Sequence, residues 1–156
     1  MSMKKVKEYF REYGIEDRII EFETSSATVE LAAKAVHCEP CRIAKTLSFM
    51  IHEEAILIVT AGDAKIDNKK YKEQFGTKAK MLSKEEVETK IGHTVGGVCP
   101  FGINAGVKVY LDKSLLRFET VFPACGSSNS AMELTIDELE KYSKYEKWVD
   151  VTKLTV

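Results

Sequence analysis

Apolar and polar positions change period several times along this chain. Residues 3–13 place Val6, Phe10 and Tyr13 at helical spacing. The stretch "RIIEFE" (18–23) predicts a strand. "SSATVELAAKAV" (25–36) returns to a helical pattern, with Ser26 or Thr28 as its N-cap. A short side-chain oxygen there accepts a backbone N–H that the first turn leaves unpaired. Pro40 in "CEPC" resists continuation of that helix.

"RIAKTLSFMI" (42–51) and "AILIVTA" (55–61) predict two strands joined by a turn at "HEEA", a hairpin. Residues 67–75 and 83–90 predict short helices separated by Gly76. Residues 92–105 are glycine-rich and irregular. "GVKVYLD" (106–112), "FETVFPA" (118–124) and "SAMELTI" (130–136) predict further strands. Thr135 opens a last helix, with Glu138 three residues on as a capping box. "KWVDV" predicts a terminal strand or an extended tail. Strands interspersed with helices, several of them in hairpins, predict an α+β fold with a mixed, strongly curved sheet.

One strand breaks its own pattern. Side chains alternate faces along a strand. Ile43, Lys45, Leu47, Phe49 and Ile51 therefore share one face, and Ala44, Thr46, Ser48 and Met50 the other. Lys45 lies on the more apolar face. Two readings stand. The side chain snorkels along the sheet rim to water, or its ammonium serves a pocket.

The chain has 156 residues, enough for one domain spanning 1–156 with a sizeable core. No apolar run approaches the roughly 20 residues that span a bilayer. The first residues, "MSMKKVKEYFREYG", are charged and amphipathic, unlike a secretory leader. These features predict a cytoplasmic protein without a membrane partner. A net charge of −1 argues against a broad nucleic-acid-coating surface, and no DNA partner is expected. Lysines do gather between Lys65 and Lys90, interspersed with acids. That segment reads either as a solvated helical surface or as a weak phosphate-facing patch beside a pocket.

Four cysteines, Cys38, Cys41, Cys99 and Cys125, should be reduced in a cytosolic chain. "HCEPC" brings His37, Cys38 and Cys41 together, but a structural zinc site wants two matched ligand pairs and no second pair exists. No metal and no cofactor is expected.

Two stretches carry chemistry. "HTVGGVCPFGINAG" (93–106) holds Gly96, Gly97, Pro100, Gly102 and Gly106. Glycine lets backbone approach a ligand closely, and proline stiffens the loop. Such a loop can aim N–H groups at an ester carbonyl without a catalytic side chain. It can equally be a tight turn between helix and strand. "PACGSSNSA" (123–131) sets Gly126, Ser127 and Ser128 at a strand end. They line a pocket or form a plain loop.

Taken together, "AAKAV…CRIAKTLSFMI", "VGGVCPFG" and "FPACGSSNSAMELTIDELEK" resemble the YbaK/prolyl-tRNA-synthetase-associated editing domain family. The shared features are the K-T-L strand lysine, the G-G-x-x-P-F-G loop, and a late glycine loop before an E-L strand and an acidic helix. The resemblance covers roughly residues 20–143. It implies a barrel-like mixed sheet flanked by helices, with no metal. It also implies aminoacyl-tRNA deacylase activity: hydrolysis of the ester between a wrong amino acid and the terminal adenosine of a tRNA. The length suits a free-standing trans-editing hydrolase. The tRNA would be tRNA-Pro carrying a small non-cognate amino acid, with prolyl-tRNA synthetase or another synthetase as a partner beside the aminoacyl-tRNA 3′ end. Lys45, Gly96 and Gly97 match the catalytic positions. Pro100, Phe101, Gly102, Gly126, Ser127 and His93 are the expected substrate-binding residues. The chain departs from the family at His93, where a tyrosine often stands, and at Cys99 inside the loop.

Two other readings compete. One is a non-catalytic module that binds aminoacyl-tRNA or a synthetase. The other is a cysteine hydrolase using Cys99, which needs a lowered thiol pKa and a base partner.

Overall fold

The computed structural model describes residues 2–25 and 28–155. Among the described residues, five helices and ten short strands follow one another: α1 (Ser2–Arg11), β1 (Ile20–Glu21), α2 (Val29–Val36), β2 (Ile43–Ile51), β3 (Glu54–Ala61), β4 (Ala64–Ile66), α3 (Asn68–Phe75), α4 (Lys84–Glu86), β5 (Lys108–Asp112), β6 (Thr120–Pro123), β7 (Ser130–Ala131), β8 (Leu134–Thr135), α5 (Ile136–Ser143), β9 (Lys147–Val149) and β10 (Thr152–Leu154). Among the described residues, no helix is long and apolar enough to cross a membrane.

Helix starts follow the capping chemistry of the sequence. Thr28 accepts the Leu31 N–H, and Asp67 accepts those of Lys69 and Lys70. Ser83 with Glu86 and Thr135 with Glu138 form reciprocal capping boxes. Ser26, the other cap expected for α2, lies outside the described residues. The helix expected over 83–90 is regular only to Glu86. Residues Val87–Ile91 form a widened turn, closed by the Gly92 N–H on the Val87 carbonyl.

Six strands form a curled, half-barrel sheet in the order β8–β6–β2–β3–β5–β9. β2 and β3 form the expected hairpin. β2 pairs parallel with β6, β3 with β5, and β5 with β9, while β6 and β8 run antiparallel. The hairpin turns at His52 and Glu53, both with positive φ (46° and 71°). A two-residue hairpin of this hand needs that geometry. Two small pairs, β1–β7 and β4–β10, sit outside the main sheet. The strand expected over 130–136 is thus divided: β7 joins β1, and β8 continues the large sheet beside β6. The strand expected over 18–23 shrinks to Ile20–Glu21, because Glu16–Arg18 coil into a 3-10 turn.

Both sheet faces are covered, which revises the reading of Lys45. The largest core takes the Ala44 and Met50 face, with Leu57 and Val59 from β3 and Phe10 and Phe101 beyond. The Lys45 face carries two smaller clusters. Ile43 packs on Ala32 and Ala33 of α2. Phe49 packs on Tyr71 of α3. Lys45 stands between them, where neither helix covers the sheet.

Asp112, at the end of β5, is wholly buried. It accepts hydrogen bonds from the Ser114 N–H (2.9 Å), the Val151 N–H (2.9 Å) and the Thr152 hydroxyl (2.7 Å). One carboxylate thereby ties the C-terminal strands to the sheet.

Candidate active site

A gap in the sheet makes the site. β6 accompanies β2 only at Ile43 and Ala44. Farther along the same edge, the Leu82 N–H donates to Ser48 O (3.2 Å) and the Met50 N–H donates to Lys80 O (2.8 Å). Between these contacts Lys45–Leu47 have no strand neighbour on that side. Alternate residues of an antiparallel strand aim their backbone groups to the same side. Ser48 and Met50 face this edge, so Thr46 aims its N–H and C=O into the gap.

A cavity of about 360 Å³ opens there, within the range of small-molecule sites. Lys45, Thr46 and Ser48 of β2 line it together with Gly96, Ala124 and Ser130. Met81 and Val95 also line it, yet are 59% and 57% exposed, so they form an apolar rim at its mouth. The Thr46 hydroxyl is buried without a hydrogen-bond partner among the described residues. Such a group carries a desolvation cost that a bound ligand can relieve.

Lys45 is half-buried. None of the ion pairs among the described residues uses it. Burial lowers its pKa below the ordinary lysine value, and Asp63 and Glu30 oppose the shift from a distance. Asp63 is itself engaged by Arg117 through two hydrogen bonds (2.6 and 3.0 Å). Lys45 thus lines the cavity with no carboxylate in ion-pair contact among the described residues.

The glycine loop divides its work among three places. Gly96 (φ 97°) lines the cavity. Gly97 does not; its N–H donates to Thr94 O (3.1 Å). A Cβ on Gly97 would lie 2.5 Å from the Ser127 N and 2.6 Å from the Gly126 carbonyl carbon. Gly97 therefore lets the two loops touch. Phe101 and Gly102 point elsewhere again, onto α1. The Phe101 ring lies 4.8 Å from that of Phe10, and a Cβ on Gly102 would crowd the Lys5 carbonyl at 3.1 Å. Pro100 is buried and Gly126 is buried; neither lines the cavity. Ser127 sits one layer behind, its Oγ 2.7 Å from that of the cavity-lining Ser130.

His93 is buried beneath the loop. Its Nε2 lies 2.7 Å from the Phe101 carbonyl, while Nδ1 has no hydrogen-bond partner among the described residues. Burial lowers its pKa. The Cys99 thiol lies 3.6 Å from His93 Nε2, superficially a nucleophile–base pair. Burial pushes that thiol up to about 12, and neither residue lines the cavity. Burial thus works against the thiolate that such chemistry needs. Burial also raises the Cys38 and Cys41 thiols. Among the described residues, no three His, Cys, Asp or Glu side chains gather as a metal site.

Of the nine site residues expected from sequence, the cavity brings together Lys45 and Gly96. The other seven frame it or hold its loops. Sequence reasoning missed Thr46, Ser48, Ser130, Met81 and Val95. Thr46 and Ser48 read as an ordinary polar strand face, and only the missing neighbour strand makes them lining.

The sequence model of the aminoacyl-tRNA editing domain matches residues 23–142. The chain belongs to the aminoacyl-tRNA editing domain family. The matched span of this editing domain runs from before α2 to the end of α5 and contains every cavity residue named above. The chain is 56% identical over 154 residues to "Uncharacterized protein YwhH" of Bacillus subtilis (strain 168), covering 98% of both. It is 30% identical over 90 residues to the proline–tRNA ligase of Aquifex aeolicus (strain VF5), covering 56% of this chain and 16% of the ligase. The match to the Bacillus cytotoxicus proline–tRNA ligase is 24% over 124 residues, and spans 22% of that enzyme. A crystal structure described as that of a proposed trans-editing enzyme for prolyl tRNA synthetase superposes with a TM-score of 0.87 at 28% identity, over 97% of each chain.

Proposed function

We propose that this editing domain is a free-standing aminoacyl-tRNA deacylase acting in the cytoplasm. The observation that carries the reading is the Lys45 ammonium, half-buried and without an ion pair, on the wall of a cavity that Gly96 also lines. An uncompensated cation in a partly dry site interacts with developing negative charge more strongly than it would in water.

The step needs no group beyond the substrate and water. A water oxygen adds to the ester carbonyl carbon, and the carbonyl π electrons move to oxygen. Lys45 and the Gly96 N–H stabilise that oxyanion. The intermediate collapses, the bond to the ribose oxygen breaks, that oxygen takes one of the water's protons, and the other passes to solvent. The amino acid leaves as its carboxylate. The substrate's neighbouring ribose hydroxyl orients the attacking water, since no His, Asp or Glu side chain lines the cavity among the described residues. Thr46, with its open hydroxyl and backbone groups, holds the aminoacyl end. The apolar rim of Met81 and Val95 suits the face of the terminal adenine.

Cavity size sets the choice of amino acid. One methylene in an apolar pocket is worth about 1–3 kcal/mol, too little for a synthetase to reject a smaller analogue by binding alone. A second sieve that admits only small side chains supplies the rest. The kinship with proline–tRNA ligases supports tRNA-Pro as the carrier, and such a ligase as the partner that releases it.

The test is deacylation of a panel of mischarged tRNAs, tRNA-Pro included, by wild type and Lys45→Met. Wild type should release a small amino acid, and the variant should lose 10²–10³-fold in kcat, roughly the worth of one oxyanion donor. Tight binding of the charged tRNA with no ester loss would select the non-catalytic module instead.

A further inference from the structure

A second concavity lies on the far side of the wall that closes the cavity. Its lining includes Met50, His52, Lys78, Lys80 and Lys90, opposed by Glu53 and Glu86. The two concavities share a partition, the extended segment 80–82. Met81 and Leu82 line the first, and Lys80 lines the second. Backbone bonds from Leu82 to Ser48 and from Met50 to Lys80 clamp the segment onto β2. Ser48 lines the cavity and Met50 the groove. They stand two residues apart on one strand face, about 7 Å at 3.3 Å per residue.

The groove's Lys80 and Lys90 meet Glu86 only at a distance. Lys78, Lys80 and Lys90 are exposed, and none enters an ion pair among the described residues. Glu86, one of the two opposing carboxylates, is occupied as the acceptor of its capping box, taking the Ser83 N–H at 2.9 Å. The surrounding segment, residues 65–90, holds eight lysines against five acids in a chain of net charge −1. Within that segment Lys78, Lys80 and Lys90 line the groove against Glu53 and Glu86, three cations to two anions.

We infer that this lysine groove carries the phosphate backbone of the RNA whose 3′ end enters the cavity, so that the acceptor stem lies along Lys80, Lys78 and Lys90. The inference rests on the deacylase reading for the identity of the RNA but not for its test. Flexible ammonium groups suit phosphates as point charges and read no sequence. The groove thus gives affinity for any acceptor stem, and the cavity gives the chemical choice.

Binding of a labelled, uncharged acceptor-stem minihelix is measured by fluorescence anisotropy between 50 and 200 mM salt. Each phosphate contact contributes about 0.9 to the slope of log K against log salt. The triple variant Lys78→Gln/Lys80→Gln/Lys90→Gln should bind at least tenfold more weakly at 50 mM, with a slope shallower by about 2–3. Glu53→Gln should tighten binding. Wild-type affinity and slope in the triple variant would overturn the inference, as would a wild type that fails to bind the minihelix at 50 mM. Deacylation is followed in parallel. Lysine-dependent binding without release of any amino acid would remove the deacylase reading and leave the groove. Release with an unchanged KM in the triple variant would remove the groove and leave the deacylase.

Discussion

Lys45 and Asp112 sit on the same curled sheet, on strands separated only by β3, and both bring a charged group inside. Asp112 is wholly buried and collects three hydrogen bonds from the chain that follows it. Lys45 is half-buried, makes no ion pair among the described residues and lines a cavity. A buried charge costs stability unless it is satisfied. Asp112 is satisfied by its own fold, so it serves structure. Lys45 is left for something the fold does not contain, so it serves a ligand. Burial alone would have ranked Asp112 as the more interesting residue; partnership reverses the order.

The comparison breaks most visibly at Asp112. Asp112→Ala strands two backbone N–H groups and a hydroxyl, and should destabilise the protein by about 3–5 kcal/mol in chemical denaturation. A wild-type midpoint would dissolve the contrast. Lys45→Met should do the opposite. Removing a desolvated cation should raise stability by about 0.5–1 kcal/mol, or ~2–3 °C in Tm, while the deacylation rate collapses. The pH profile sharpens this further. If the charged ammonium is the working form, activity is present below the Lys45 pKa and lost as pH rises through it. Burial lowers that pKa, so the alkaline limb of kcat, after subtraction of spontaneous ester hydrolysis, should fall below 10.5, the ordinary lysine value. A limb at or above it would place the lysine in water.

The two neighbouring glycines extend the contrast on a smaller scale. Gly97→Ala drives a methyl group into the Ser127 backbone and should cost about 1–3 kcal/mol of stability, with activity falling in step. Gly96→Ala puts an L-residue at φ 97° on the cavity wall, at about 1–2 kcal/mol. There the rate should fall more than stability explains; equal losses at both positions would give Gly96 a structural role only. The smallest effect is expected at the hairpin. Glu53 holds φ 71° without a glycine, and Glu53→Gly should raise the unfolding free energy by about 1 kcal/mol, with deacylation of a short charged substrate as the control.

Much of this was legible beforehand. The β2–β3 hairpin, the Thr135 capping box and the ends of α3 are local events, written in adjacent residues. The short strands were not. β4 and β10 have three residues each and exist because they pair with one another across 85 intervening positions. The G-G-x-x-P-F-G loop shows the same limit. Its residues read as one binding feature, yet Gly96 meets the cavity, Gly97 meets Ser127, and Phe101 with Gly102 meets α1. Backbone closeness suits all three uses, so composition alone cannot tell them apart. His93 and Cys99 stood near the candidate loop in sequence, but burial took both out of reach of a substrate.

Sequence by itself determined the periodicities, the caps and the placing of an ammonium in an apolar strand, because each depends on residues a few positions apart. Tertiary structure decided which strand edge stays open, since that requires β6 to leave β2 after Ala44 and segment 80–82 to join it only at Ser48. The cavity is the space between those two departures. No local pattern encodes it, because its walls come from five stretches of chain, 28–32, 43–48, 81–87, 95–98 and 122–131, that meet only when the sheet curls.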